Sequence, residues 1–273
     1  MVRRTTTAAQ RRKRAELVAV IRNVTIVVGA LALAGFLYFT AKKSQRDLDP
    51  VTLCPLDPES VTLLLVDVTD PMNLPQRQDF FNELDKLVQE IPRYGKLAIV
   101  KVDPISDRLL EPVITRCNPG TAKDVSEVSG NPAKLEAMYR EQFVDPLREA
   151  FEGLAVASSA PRSPILESIQ SVNLTELKRS GVPEGKRRLI VASDLLQNTG
   201  DISFYKRLPE AEYLINSEAF DRTRTDLRGT DVELWMLRRN DGGRTQTRKL
   251  AETWEAIIHA QGGRLVRIYT VSG

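Results

Sequence analysis

The stretch Val61-Thr62-Leu63-Leu64-Leu65-Val66-Asp67-Val68-Thr69-Asp70-Pro71 decides how the rest of the chain is read. Five of its first six residues are apolar, and the run breaks at Asp67 and then at Pro71. A short apolar run with no polar alternation reads as a parallel strand covered on both faces. The carboxyl end of such a strand is where open α/β sheets place their ligands. Asp67 and Thr69 therefore stand where chemistry or a metal is expected.

Elements of the two periods alternate downstream of this strand. Phe80, Leu84, Leu87, Val88 and Ile91 share one helical face, which Pro92 and Gly95 end. Residues 97–102 form a second strand, and 103–130 is irregular, with a short edge strand expected at 109–115. Asn131-Pro132 opens a helix that continues to Phe151 and kinks or restarts at Asp145-Pro146. Residues 158–164 make a loop, and Ile165, Leu166, Ile169 and Val172 face inward from a short helix. Strands follow at 186–194, 232–237 and 265–269. A helix is expected at 211–220, the turn Asp241-Gly242-Gly243 follows the fifth strand, and the clearest amphipathic helix runs from Thr247 to Ile258. This order implies a doubly wound, mainly parallel sheet flanked by helices.

Upstream lies a segment of a different kind. Residues 23–41 carry no charge; roughly 19 helical residues reach about 28 Å, close to the hydrocarbon thickness of a bilayer. Tyr38 and Phe39 suit an interfacial aromatic belt. Arg22 closes one side, Lys42 and Lys43 the other, and Arg3, Arg4, Arg11, Arg12, Lys13 and Arg14 precede the run. The positive-inside rule then puts residues 1–22 in the cytoplasm and the rest across the inner membrane, periplasmic or extracellular. A cleaved signal peptide is the alternative; the apolar run continues past Ala32-Leu33-Ala34 to Phe39, which favours a retained anchor. Residues 42–58, with three prolines, read as a linker, leaving 59–273 for the α/β domain.

Cysteine usage agrees with export. Cys54 and Cys117 are the only two, and one pair in an exported domain is naturally a disulfide, two unrelated buried thiols being the alternative. The net charge of +3 resides in the basic tail, so no broad basic surface of the kind nucleic acid requires is present. A single histidine, His259, argues against a His-based zinc site or a Ser-His-Asp triad.

Three patches belong at one sheet edge: Asp67-Val68-Thr69-Asp70-Pro71, Arg162-Ser163-Pro164-Ile165, and Ala192-Ser193-Asp194. Two carboxylates and two hydroxyls there make a hard-oxygen set of the type Mg²⁺ or another divalent cation takes. Each residue also has a structural explanation: Ser163 as an N-cap, Thr69 in a local turn, and Asp67 and Asp194 as caps of the segments just after their strands.

With these motifs the chain resembles the von Willebrand factor A (vWA) family. That family carries Asp-x-Ser-x-Ser after its first strand, a Thr opening a later helix and an Asp after its fourth strand, which together form a metal-ion-dependent adhesion site. By resemblance Asp67 and Thr69 match the first two positions, Ser163 the Thr and Asp194 the last Asp. Pro71 replaces the third hydroxyl, so the site is degenerate. The anchor, Cys117-Asn118-Pro119-Gly120 and Ser193-Asp194-Leu195-Leu196-Gln197-Asn198-Thr199 together also resemble bacterial membrane-anchored proteins of this type. The resemblance implies a vWA/Rossmann-like fold and a non-enzymatic protein-interaction module, in which a divalent metal meets a partner's carboxylate. Two alternatives stay open: a metal-free scaffold, and a haloacid-dehalogenase-like phosphotransferase using Asp67 as nucleophile. Trp235 and Trp254 read as core, His259 as surface, and Arg222, Arg224 and Arg228 as a solvated face.

Overall fold

The computed structural model describes residues 8–44, 46–69, 71–104, 109–125, 130–154, 160–178, 181–205, 207–239 and 246–271. Asp70 and the expected turn at Asp241-Gly242-Gly243 lie outside them.

Strand β1 (Val61–Val66) is buried at every position. It pairs in parallel with β2 (Lys96–Lys101) on one side and β4 (Arg187–Ser193) on the other. Its continuous apolar run is explained by cover on both faces. Leu63 and Leu65 pack into a core shared with α5 (Ile165–Val172) and α8 (Arg248–Ala260). Leu64 and Val66 pack into a second core, with α2 (Leu74–Glu90) and α4 (Asp145–Leu154). In that core Phe80 stacks on Phe151 at 4.1 Å and meets the edge of Trp235 at 5.4 Å. Each such aliphatic side chain contributes roughly 1.5–3 kcal/mol by burial, an upper figure.

Three more strands complete the sheet: β3 (Ile114–Cys117), antiparallel at one edge, then β5 (Thr230–Leu237) and β6 (Arg264–Val271) at the other. The order is β3-β2-β1-β4-β5-β6. The chain winds outward in both directions from β1, so the switch point lies between β1 and β4, and a crevice is expected at their carboxyl ends.

The structure corrects several sequence-based boundaries. The edge strand begins at Ile114 rather than at 109, because its register is fixed by Cys117 opposite Lys96. The kinked helix is α3 (Pro132–Tyr139), a π-helical turn at Arg140–Val144, and α4. The wide turn precedes Pro146, which has no N–H to continue a regular ladder. The single helix expected at 211–220 is two, α6 (Ala211–Ile215) and α7 (Glu218–Thr223). Ser217 divides them: its hydroxyl accepts from Phe220 N as a new N-cap.

The N-terminal helix α1 (Ala8–Ser44) is a unit of its own, residues 1–47, separate from 48–273. Its apolar span runs Arg12–Phe36 and is not buried against other parts of the chain, so this is one helix long and apolar enough to cross a membrane. The helix continues to Ser44, so the first residues of the expected linker are helical. The linker's remainder is fastened to the α/β unit. Cys54 and Cys117 form a disulfide, with Cα atoms 4.8 Å apart and 63 residues of separation. Cys117 N donates to Thr52 O, and Leu53 is buried.

Candidate functional site

The site is built outward from Asp67, the first residue beyond β1. Its N–H donates to Ala192 O, tying it to the end of β4. The carboxylate is only 4% exposed, and four donors saturate it. Oδ1 accepts from Thr69 N at 3.0 Å and Thr69 Oγ1 at 2.7 Å. Oδ2 accepts from Ser163 Oγ at 2.7 Å and Ser193 Oγ at 2.9 Å. Buried carboxylates persist only with such company.

Ser163 is not a helix cap. A two-way backbone pairing with Asn198 holds it in place, and its hydroxyl turns to Asp67. The capping role falls to Gln197, fully buried, whose Oε1 accepts from Leu166 N at 2.9 Å. Gln197 and Asn198 thus position α5 and Ser163 relative to β4.

Asp194, the first residue beyond β4, is 5% exposed. Its Oδ1 accepts from Leu196 N at 2.9 Å, and its Oδ2 forms an ion pair with Arg239 Nη1 at 2.6 Å. The intervening Leu195 has φ 63° in the left-handed region, where a branched side chain is disfavoured. Two bonds fix it there: Leu195 N donates to Ser193 Oγ, and Trp254 Nε1 donates to Leu195 O at 2.8 Å. Burial, with the Asp67 charge beside it, pushes the Asp194 carboxyl up, against the pull of the Leu196 N–H and the Arg239 guanidinium.

Arg239 lies two residues beyond β5 and therefore at the same rim. Nη1 also donates to Tyr205 OH at 2.5 Å, and the guanidinium lies 5.2 Å from the centre of the Tyr205 ring. Gln246, nearly fully buried, spans the rim. Its Oε1 accepts from Arg239 N at 2.7 Å, and its Nε2 donates to Asp194 O at 3.1 Å and Leu237 O at 2.6 Å. A cavity of about 140 Å³ opens among Asp67, Thr69, Pro71, Met72, Asp194 and Arg239.

The four residues expected from sequence, Asp67, Thr69, Ser163 and Asp194, thus share one rim. Sequence reasoning missed Ser193, Tyr205, Arg239 and Gln246. The only available signal for Arg239 was its place just past a strand end.

The resemblance implies a divalent cation at these oxygens. The oxygens are of the right kind, but a hard cation takes six or more, and Pro71 supplies no side-chain oxygen. One of the two carboxylates already holds a guanidinium at 2.6 Å. As arranged, these side chains do not fit a divalent cation, and no group of three or more His, Cys, Asp or Glu suited to a metal occurs among the described residues. The phosphotransferase alternative fares no better: both Asp67 oxygens are saturated, a poor state for a nucleophile. His259 is exposed in the last turn of α8, at the opposite rim.

No protein-family model matches the chain, and no curated protein does. Solved structures similar to it include the conserved hypothetical protein BatB from Bacteroides thetaiotaomicron, with 13% identity and a TM-score of 0.34 over 77% of this chain and 91% of that one. The SpRpn10 VWA domain matches with 11% identity and a TM-score of 0.37 over 78% and 89% of the two chains. An aerotolerance-related membrane protein from Bacteroides fragilis matches with 13% identity and a TM-score of 0.32 over 78% and 92%. The strand order, and the meeting of Asp67, Thr69, Ser163 and Asp194 beyond β1 and β4, agree with what the vWA resemblance implies for the α/β unit.

Proposed function

We propose that the chain is a membrane-anchored protein-interaction module whose partner docks at the carboxyl rim around Asp67, without a bound metal. The observation that carries this reading is the rim itself: a saturated Asp67 beside an Asp194–Arg239 pair, at the topological switch point. Exposed Leu74, at the start of α2, and Tyr205 add apolar and aromatic surface of the sort interfaces use. In this reading residues 1–22 lie in the cytoplasm, residues 23–41 cross the inner membrane, and the vWA-like domain lies outside. The basic tail supports that orientation, and the Cys54–Cys117 disulfide calls for an oxidising compartment.

A second reading, a partner carboxylate bound through Mg²⁺, rests on the convergence of four oxygen-bearing side chains and requires Arg239 to leave Asp194. Affinity capture on the full chain from detergent-solubilised membranes separates the two. The proposed function predicts a partner that survives chelator and is lost in Asp194→Ala. Loss on chelation alone favours the metal reading, and capture indifferent to Asp194→Ala removes the rim from the account. Orientation is checked with Glu218→Cys at an exposed position of α7: a membrane-impermeant maleimide should label it in intact cells, and labelling only after lysis contradicts an external domain.

A further inference from the structure

We propose that Arg239 is a tethered counter-ion that takes the cation position of the Asp67–Asp194 site and so keeps divalent metals out. This deepens the metal-independent reading of the rim by naming the group responsible.

Asp67 and Asp194 are both buried, and Ser193 Oγ bridges them, at 2.9 Å from Asp67 Oδ2 and 3.5 Å from Asp194 Oδ1. Two carboxylates brought this close out of water need a compensating positive charge. Hydroxyls satisfy Asp67, and the charge comes from Arg239, whose Nη1 sits 2.6 Å from Asp194 Oδ2. A cation bound to that oxygen and a guanidinium at that distance exclude each other by both space and charge.

Arg239 is held for this task from several sides. Tyr205 receives a hydrogen bond from Nη1 and faces the guanidinium with its ring. Gln246 binds the Arg239 backbone N–H and the Asp194 carbonyl with the two ends of one amide, so the arginine and its carboxylate share a clamp. Arginine suits the half-buried cation of such a pair because its charge is delocalised, weakly hydrated and never lost by titration. The departure at Pro71 and the arrival of Arg239 act in one direction: the first removes an oxygen ligand, and the second supplies a charge.

The test is Mn²⁺ binding to the full chain in detergent, followed by electron paramagnetic resonance of free Mn²⁺ and by thermal unfolding. The parent should neither bind Mn²⁺ nor shift in Tm at millimolar metal. Arg239→Ala should melt lower in chelator, bind Mn²⁺ at least about tenfold more tightly than the parent, and recover Tm on adding it. Arg239→Ala combined with Asp67→Asn should lose that gain. Arg239→Gln, which removes the charge and keeps most of the side chain, should follow Arg239→Ala and replaces it if the alanine variant does not fold. Should neither fold in chelator, recovery of the native signal on refolding with Mn²⁺ supports the proposal, and no recovery overturns it. Equal Mn²⁺ binding by parent and Arg239→Ala, or none by either, overturns it as well. No partner enters the measurement, so an error in the interaction reading leaves this result intact.

Discussion

The Asp67 carboxylate accepts hydrogen bonds on both oxygens, and they are charge-assisted. Asp67→Asn keeps the shape but turns an amide donor toward hydroxyls that were themselves donating. The expected cost is about 1.5–3 kcal/mol in urea unfolding; a change indistinguishable from zero would show that these bonds do not hold the rim together. A second residue-scale prediction concerns Trp254, whose indole N–H is the bond that secures the left-handed Leu195. Trp254→Phe preserves most of the packing but orphans a buried carbonyl, at about 1–3 kcal/mol. Slower or broadened amide signals confined to residues 193–196 would locate the effect at the Asp194 loop, and a purely global loss would place it in the core instead. The Asp67, Thr69, Ser163 and Asp194 quartet was legible in the sequence because each follows a strand or precedes a helix at a position topology sends to the same edge. Arg239 and Gln246 were not, since a charged residue in a loop gives no periodic signal and its partner lies 45 residues away in the chain.

Among the elements, α2 is joined to the far edge of the sheet by charge as well as by its apolar face. Glu83 accepts from Lys86 at 3.0 Å and from Arg267 on β6; Glu233 on β5 pairs with Arg188 on β4 at 2.6 Å, and Arg188 returns to Glu90 on α2 at 2.7 Å. Burial raises the Glu83 carboxyl, but the hydrogen bonds from Arg267 and Lys86 outweigh it, and the group lies below its ordinary value of 4.5. A carboxyl depressed in the folded state stabilises above its unfolded pKa and loses that contribution as pH falls through the folded one. Glu83→Gln is therefore expected to cost about 1.5–3 kcal/mol near neutrality, with the difference from the parent shrinking once pH drops below 4.5. A gap that stays constant across the acid range would contradict this. Helix faces such as Phe80, Leu84, Leu87 and Val88 were readable from spacing alone, whereas β3 was misplaced by several residues. A four-residue edge strand has too few positions to show a period, and its last residue, Cys117, is held by a disulfide to Cys54, far away in the chain.

For the whole molecule, the disulfide ties the segment following α1 to the α/β unit. Replacing Cys54 and Cys117 by Ser frees a loop closed over a separation of 63 residues. Chain entropy values that closure at about 4 kcal/mol as an upper figure, so the double variant should unfold at clearly lower denaturant, and an unchanged midpoint would mean that packing around Leu53 already holds the segment. Fold class was legible at this scale because strands and helices alternate and the central strand is apolar at five of its six positions. The rim's chemistry was half legible: sequence pointed to a metal, and the geometry puts a guanidinium on one of its expected ligands. The claim on which all of this turns is that partners meet the carboxyl rim of the sheet. It is tested most directly by photo-crosslinking in intact cells, with a photoreactive residue placed either at Leu74, exposed at the start of α2, or at His259, exposed at the opposite rim. The account predicts a discrete adduct from position 74, abolished by Asp194→Ala, and none from position 259; an adduct from 259 alone would contradict it.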